Sequence, residues 1–79
     1  MVQEYQINSE NLRTLIKSIT SLKGSTLTNL KVNINHKYNK SDSLENLTNK
    51  LRNKTIKVSE LLEILDVLEC ELIIRNKNL

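Results

Sequence analysis

The chain has 79 residues and a net charge of +3, a length at the lower edge of what buries its own core, so one domain is expected and a second is excluded. Two Tyr and no Phe or Trp leave Leu, Ile and Val to build that core, while the absence of Pro and the single Gly24 exclude a turn-rich β sandwich and make a mainly helical fold the expectation. One Cys and one His exclude an internal disulfide and a four-ligand zinc site.

No nucleophile–base pair, metal cluster or phosphate loop stands out, so no enzyme, no cofactor and no small-molecule substrate are expected. Apolar runs of two to three residues are far too short to span a bilayer, and the first residues lack the pattern of a secretion signal. A cytoplasmic location with no membrane partner is therefore expected.

In chain order, Val2, Tyr5 and Ile7 alternate loosely and predict an extended arm or short strand over residues 1 to 8. Ser9 is a predicted N-cap for a first helix over about 10–23, in which Leu12, Leu15, Ile16, Ile19 and Leu22 form one apolar stripe. Gly24 ends it as a left-handed closing residue. Ser25 or Thr26 caps a second helix over about 26–36, with Leu27, Leu30, Ile34 and Tyr38 on one face. Residues 36 to 41 read as an exposed connection, with Asn39 suited to a turn.

Asp42-Ser43-Leu44-Glu45 has the form of a capping box and starts a third helix, whose apolar positions Leu44, Leu47 and Leu51 make a narrow stripe. Thr55 is expected to cap a fourth helix bearing Val58, Leu61, Leu62, Ile64, Leu65 and Leu68, the predicted centre of the core. Residues 70 to 75 are β-branched and partly alternating, which predicts a short C-terminal strand. That strand needs a partner, either residues 2 to 7 or its own copy in a second subunit, which makes Leu72, Ile73 and Ile74 the candidate dimer interface.

Charge is unevenly placed. Residues 31 to 57 hold seven bases and two acids, net +5, whereas residues 58 to 74 hold five acids and no base, net −5. A basic middle beside an acidic end suggests an oriented docking surface. The third helix exposes short polar side chains able to bond base edges: Asn46, Asn49 and Lys50 are the first candidates for base contacts, with Thr48 and Ser43 behind them. Lys40, Arg52, Lys54 and Lys57, at ends and in loops, are candidates for phosphate, as are Ser25, Thr26 and Thr28 at the start of the second helix.

The run Asn46-Leu47-Thr48-Asn49-Lys50-Leu51-Arg52-Asn53-Lys54-Thr55-Ile56, followed by Ser59-Glu60-Leu61-Leu62-Glu63-Ile64-Leu65-Asp66-Val67-Leu68-Glu69-Cys70-Glu71-Leu72, resembles the lambda-repressor-like (Cro/phage repressor) helix-turn-helix proteins. Gly24-Ser25-Thr26-Leu27-Thr28-Asn29-Leu30 is similar to that family's start of helix two. The resemblance covers roughly residues 10 to 75 and implies a four- to five-helix domain with its helix-turn-helix at about 26–53 and a short strand at about 70–75. It also implies a homodimeric regulator of transcription that binds double-stranded DNA, a repressor or autorepressor of the kind encoded by phages and mobile elements. The chain departs from the pattern at Lys31, where a small residue is usual, in the longer connection around residues 37 to 42, and at Lys54 and Lys57, where glycine and a capping serine are common. A protein-interaction module, such as a phage inhibitor or an antitoxin, is the alternative from another class.

Overall fold

The computed structural model describes residues 4 to 78; residues 1 to 3, with Val2 of the predicted arm, and residue 79 lie outside the described part. Four helices follow one another: α1 (Leu12–Leu22), α2 (Leu27–Lys37), α3 (Leu44–Asn53) and α4 (Val58–Val67). The class is mainly α, and α2 is the hub: it packs on the other three, while α1 also packs on α3. Among the described residues no helix is long and apolar enough to cross a membrane.

The core takes one deeply buried side chain from each helix, Ile16, Leu30, Leu51 and Ile64, each no more than 2% exposed. Ile19, Ile34, Leu47, Leu65 and Leu68 complete it. Thr20 is equally buried and is satisfied locally, its hydroxyl donating to the Ile16 carbonyl at 2.7 Å. Apolar periodicity overstates the core at its edges. Leu22, Val58 and Leu62 fit the stripes but stand exposed, because each lies at a helix end or on the flank that no neighbour covers.

The four helices stop in one way. A left-handed residue follows each of them, Gly24 at φ 73°, Asn39 at 53°, Lys54 at 60° and Glu69 at 59°. The next amide then reaches back to a carbonyl of the last turn: Ser25 to Thr20 at 3.0 Å, Lys40 to Asn35 at 2.8 Å, Thr55 to Lys50 at 3.0 Å and Cys70 to Leu65 at 2.8 Å. This 6→1 bond satisfies orphan carbonyls and turns the chain sharply. Only the first stop was legible as a glycine.

Three predicted caps are displaced. α1 begins three residues after Ser9, because Asn8 and Asn11 bind each other's backbone: Asn8 Oδ1 accepts from Asn11 N and Asn11 Oδ1 from Asn8 N, both at 2.9 Å. At α3 the cap is Ser43, whose Oγ accepts from Asn46 N at 3.1 Å, since Asp42 is drawn to other partners. At α4 the N-cap position is Lys57, not Thr55, and the Glu60 carboxylate accepts the Lys57 amide at 3.2 Å. Of the two candidate caps of α2, Ser25 and Thr26, it is Thr26 that caps, accepting from Asn29 N at 3.2 Å.

The C-terminal strand is not formed. Residues 70 to 75 carry no ladder, and among the described residues there is no strand at all. The N-terminal segment meets this tail through side chains, with the Arg75 guanidinium 2.8 Å from the Glu4 carboxylate. A strand is stabilised by its ladder partner, and neither segment supplies one to the other. Leu72, Ile73 and Ile74 are consequently 42%, 66% and 93% exposed.

Leu51 sits where α3 meets the rest of the core, and Leu51→Ala is expected to cost about 2–5 kcal/mol, a large part of the stability of so small a domain. Urea unfolding followed by helical circular dichroism measures it, and a loss below 1 kcal/mol would contradict the placement.

Candidate nucleic-acid interface

Helix α3 is the most polar of the helices, and its placement begins with a buried charge. Lys31 of α2 is 7% exposed, and its ammonium lies 3.2 Å from the Asp42 carboxylate in the connection between α2 and α3. Asp42 also accepts from the Asn46 side-chain amide at 2.8 Å and from the Ser43 amide at 3.0 Å. Asn35 of α2 donates to the Asp42 carbonyl at 2.7 Å. One residue of the connection is thus tied to α2 through Lys31 and Asn35 and to the first turn of α3 through Ser43 and Asn46. The donated Asn46 hydrogen bond, then the Lys31 ammonium, hold the Asp42 carboxyl well down, to about 2.

At 100° per residue, the inward Leu44, Leu47 and Leu51 leave Glu45, Asn46, Asn49, Arg52 and Asn53 pointing away from the core. Asn46 and Asn49 therefore share the outer face. Asn46 gives one amide hydrogen to Asp42 and keeps its carbonyl open, while Asn49 accepts from the Arg52 guanidinium. The other three base-contact candidates flank that face. The Ser43 oxygen is occupied as the cap, and Thr48 donates to the Glu45 carbonyl at 3.0 Å. Lys50 turns toward α4, 2.6 Å from Glu60 and 4.0 Å from Asp42. The Glu60 carboxylate raises the Lys50 ammonium and is itself lowered by it.

The basic middle and the acidic end of the chain fold onto each other. Lys50 meets Glu60 at 2.6 Å, Lys40 meets Glu63 at 2.5 Å and Lys37 meets Asp66 at 2.5 Å. The three acids recur every third residue along α4, so they share one side of it. Asp66 also accepts from the Tyr38 hydroxyl, a bond that pushes the phenol up to about 12. Lys54 lies 3.3 Å from Glu10 at the start of α1. Of the seven bases between residues 31 and 57, among the described residues only Arg52 and Lys57 make no ion pair, although the Lys57 charge still helps to lower Glu60.

At the start of α2, Thr26 is engaged as the cap, and the Ser25 hydroxyl lies 3.4 Å from the Thr26 carbonyl. Thr28 is exposed on the first turn. Asn53 and the exposed cations Arg13 and Lys17 of α1 are not among the sequence candidates, although helical phase alone turns them outward.

Comparison of the chain with protein-family models, with curated proteins and with solved structures returns no match.

The Asp42 carboxyl sits below its ordinary value of 3.8 in the fold, so on acidification the unfolded chain takes up its proton first. Its stabilising contribution is full above about pH 4 and is lost as pH falls toward 2. Asp42→Asn is expected to flatten the fall of the urea midpoint over that window and to lower stability at pH 7. Adding Lys31→Met should restore the neutral-pH loss, because no ammonium is then buried without a partner. An unchanged acid limb in Asp42→Asn would remove Asp42 from this role.

Proposed function

We propose that the chain is a sequence-specific regulator of transcription that binds double-stranded DNA, a repressor or autorepressor of the lambda-repressor-like helix-turn-helix type. In this reading α2 braces the unit across the backbone and α3 enters the major groove. The observation that carries it is the outer face of α3, where Asn46, Asn49, Arg52 and Asn53 stand on a short helix that Asp42 ties to α2. Asn pairs with adenine in two-bond geometry, and Glu45 offers an acceptor to cytosine. Arg52 and Lys57 are the phosphate-contact candidates with no ion pair to break; Lys40 and Lys54 would exchange an exposed ion pair, worth about 0–1 kcal/mol, for a phosphate.

The reading includes a homodimer on a palindromic site with half-sites about 34 Å apart. The exposed Leu72, Ile73 and Ile74 support it, being an apolar run on an unladdered tail. The same run, with lysines 37, 40 and 50 already neutralised, favours the second reading, a module that docks on another protein.

Selection from a pool of random duplexes at two salt concentrations tests the first reading. An enriched palindrome that survives the higher salt is the expected outcome, and Asn49→Ala should cost about 1–3 kcal/mol on that site and nothing on scrambled duplex. No enrichment, or binding that disappears with salt, favours the protein-docking reading. For the dimer, Ile73→Asp with Ile74→Asp should shift sedimentation from dimer to monomer with the helical signal unchanged. A dimer that persists would place the interface elsewhere.

A further inference from the structure

The lysines between residues 31 and 50 are neutralised within the fold, which moves the open positive charge of the molecule to another place. Residues 12 to 23 contain Arg13, Lys17 and Lys23 and no acid, a net +3 over twelve residues. None of these three cations has a carboxylate within ion-pair distance among the described residues, and all three are exposed. Arg13 and Lys17 are one helical turn apart, so their side chains lie side by side. Thr14, Ser18, Ser21 and Leu22 lie beside them on the open surface of α1.

We propose that the outer face of α1 is a second contact surface for the phosphate backbone of duplex DNA, continuous with the C-terminal end of α3. The inference rests on the DNA-binding reading and extends it to a helix outside the α2–α3 unit. Continuity comes from two contacts: α1 packs on α3, and Lys54, just past α3, reaches Glu10, just before α1. That ion pair puts the C-terminal end of α3, which carries the open charge of Arg52, beside the residues that lead into α1. Hydroxyls beside the cations suit phosphate oxygens, which accept from Ser and Thr as well as from Arg and Lys. A lipid surface is the poorer fit. Interfacial helices insert an apolar face, and the apolar stripe of α1 is already committed to the core through Leu12, Leu15, Ile16 and Ile19, leaving Leu22 alone outside.

The test is the salt dependence of binding to a short duplex of scrambled sequence, wild type against the double variant Arg13→Gln with Lys17→Gln. Both positions are exposed and Gln is a good helix former, so the helical signal should not change. Each phosphate contact contributes about 0.9 to the slope of log K against log salt, so the double variant should be shallower by about 1.8, or about twelve-fold less loss of affinity between 50 and 200 mM. An unchanged slope overturns the proposal. A shallower slope in the double variant, together with an Asn49→Ala variant that keeps full sequence preference, would retain the α1 surface and remove base reading from α3. Failure of the wild type to bind any duplex overturns both. Binding to vesicles of phosphatidylserine in phosphatidylcholine that the double variant loses, with the duplex slope unchanged, overturns it in favour of a membrane.

Discussion

The ion pair between Lys31 and Asp42 is the constraint around which the α2–α3 unit is arranged. An ammonium on the inner side of α2 has to find a carboxylate, because an unpaired buried charge costs several kcal/mol. The nearest stretch of chain that can supply one is the connection, and that connection is long enough to fold Asp42 back over α2. The buried lysine of α2 and the long connection before α3 are thus one feature. Once Asp42 is spent on Lys31, Ser43 has to cap α3, and Asn46 is drawn to the carboxylate from the first turn.

The second constraint is charge balance. Three lysines from the end of α2, the connection and α3 pair with three acids on one side of α4, and they run in opposite directions along the chain: the later the lysine, the earlier the acid. The pairs of Lys37 and Lys40 are exposed and individually weak, and that of Lys50 is part-buried, but the set aligns α4 against the α2–α3 unit. The same balance changes what the surface offers a polyanion. A net charge of +5 over residues 31 to 57 describes the chain, not its surface, because partners distant in sequence cancel most of it. Among the described residues the cations outside any ion pair lie on and just after α1, at the end of α3, at the start of α4 and, as Lys77, in the tail.

Much of the architecture was legible. Leu12, Leu15, Ile16 and Ile19 in α1, or Leu30 and Ile34 in α2, follow a period that only a helix turns into one buried face, and Gly24 and Thr26 mark a stop and a start by chemistry that needs no neighbours. The stops at Lys54 and Glu69 were not legible, since neither residue prefers the left-handed region. The tail misled for a related reason: Leu72, Ile73 and Ile74 have the composition of a strand, but a strand exists only where another backbone pairs with it. Of the candidate site, Asn46 and Asn49 follow from phase against Leu47 and Leu51. The engagement of Lys40, Lys50 and Lys54 does not, because Glu63, Glu60 and Glu10 are far away in the sequence.

By itself, then, the sequence determined what depends on local periodicity and local capping: four helices, their apolar faces, the mainly α class and the polar character of α3. Tertiary structure decided which charges remain open, which cap each helix uses, and whether the last β-branched segment forms a strand. Those outcomes turn on pairings between residues far apart in the chain, and the free energy of such a pairing depends on distance and desolvation, which exist only once the helices have packed.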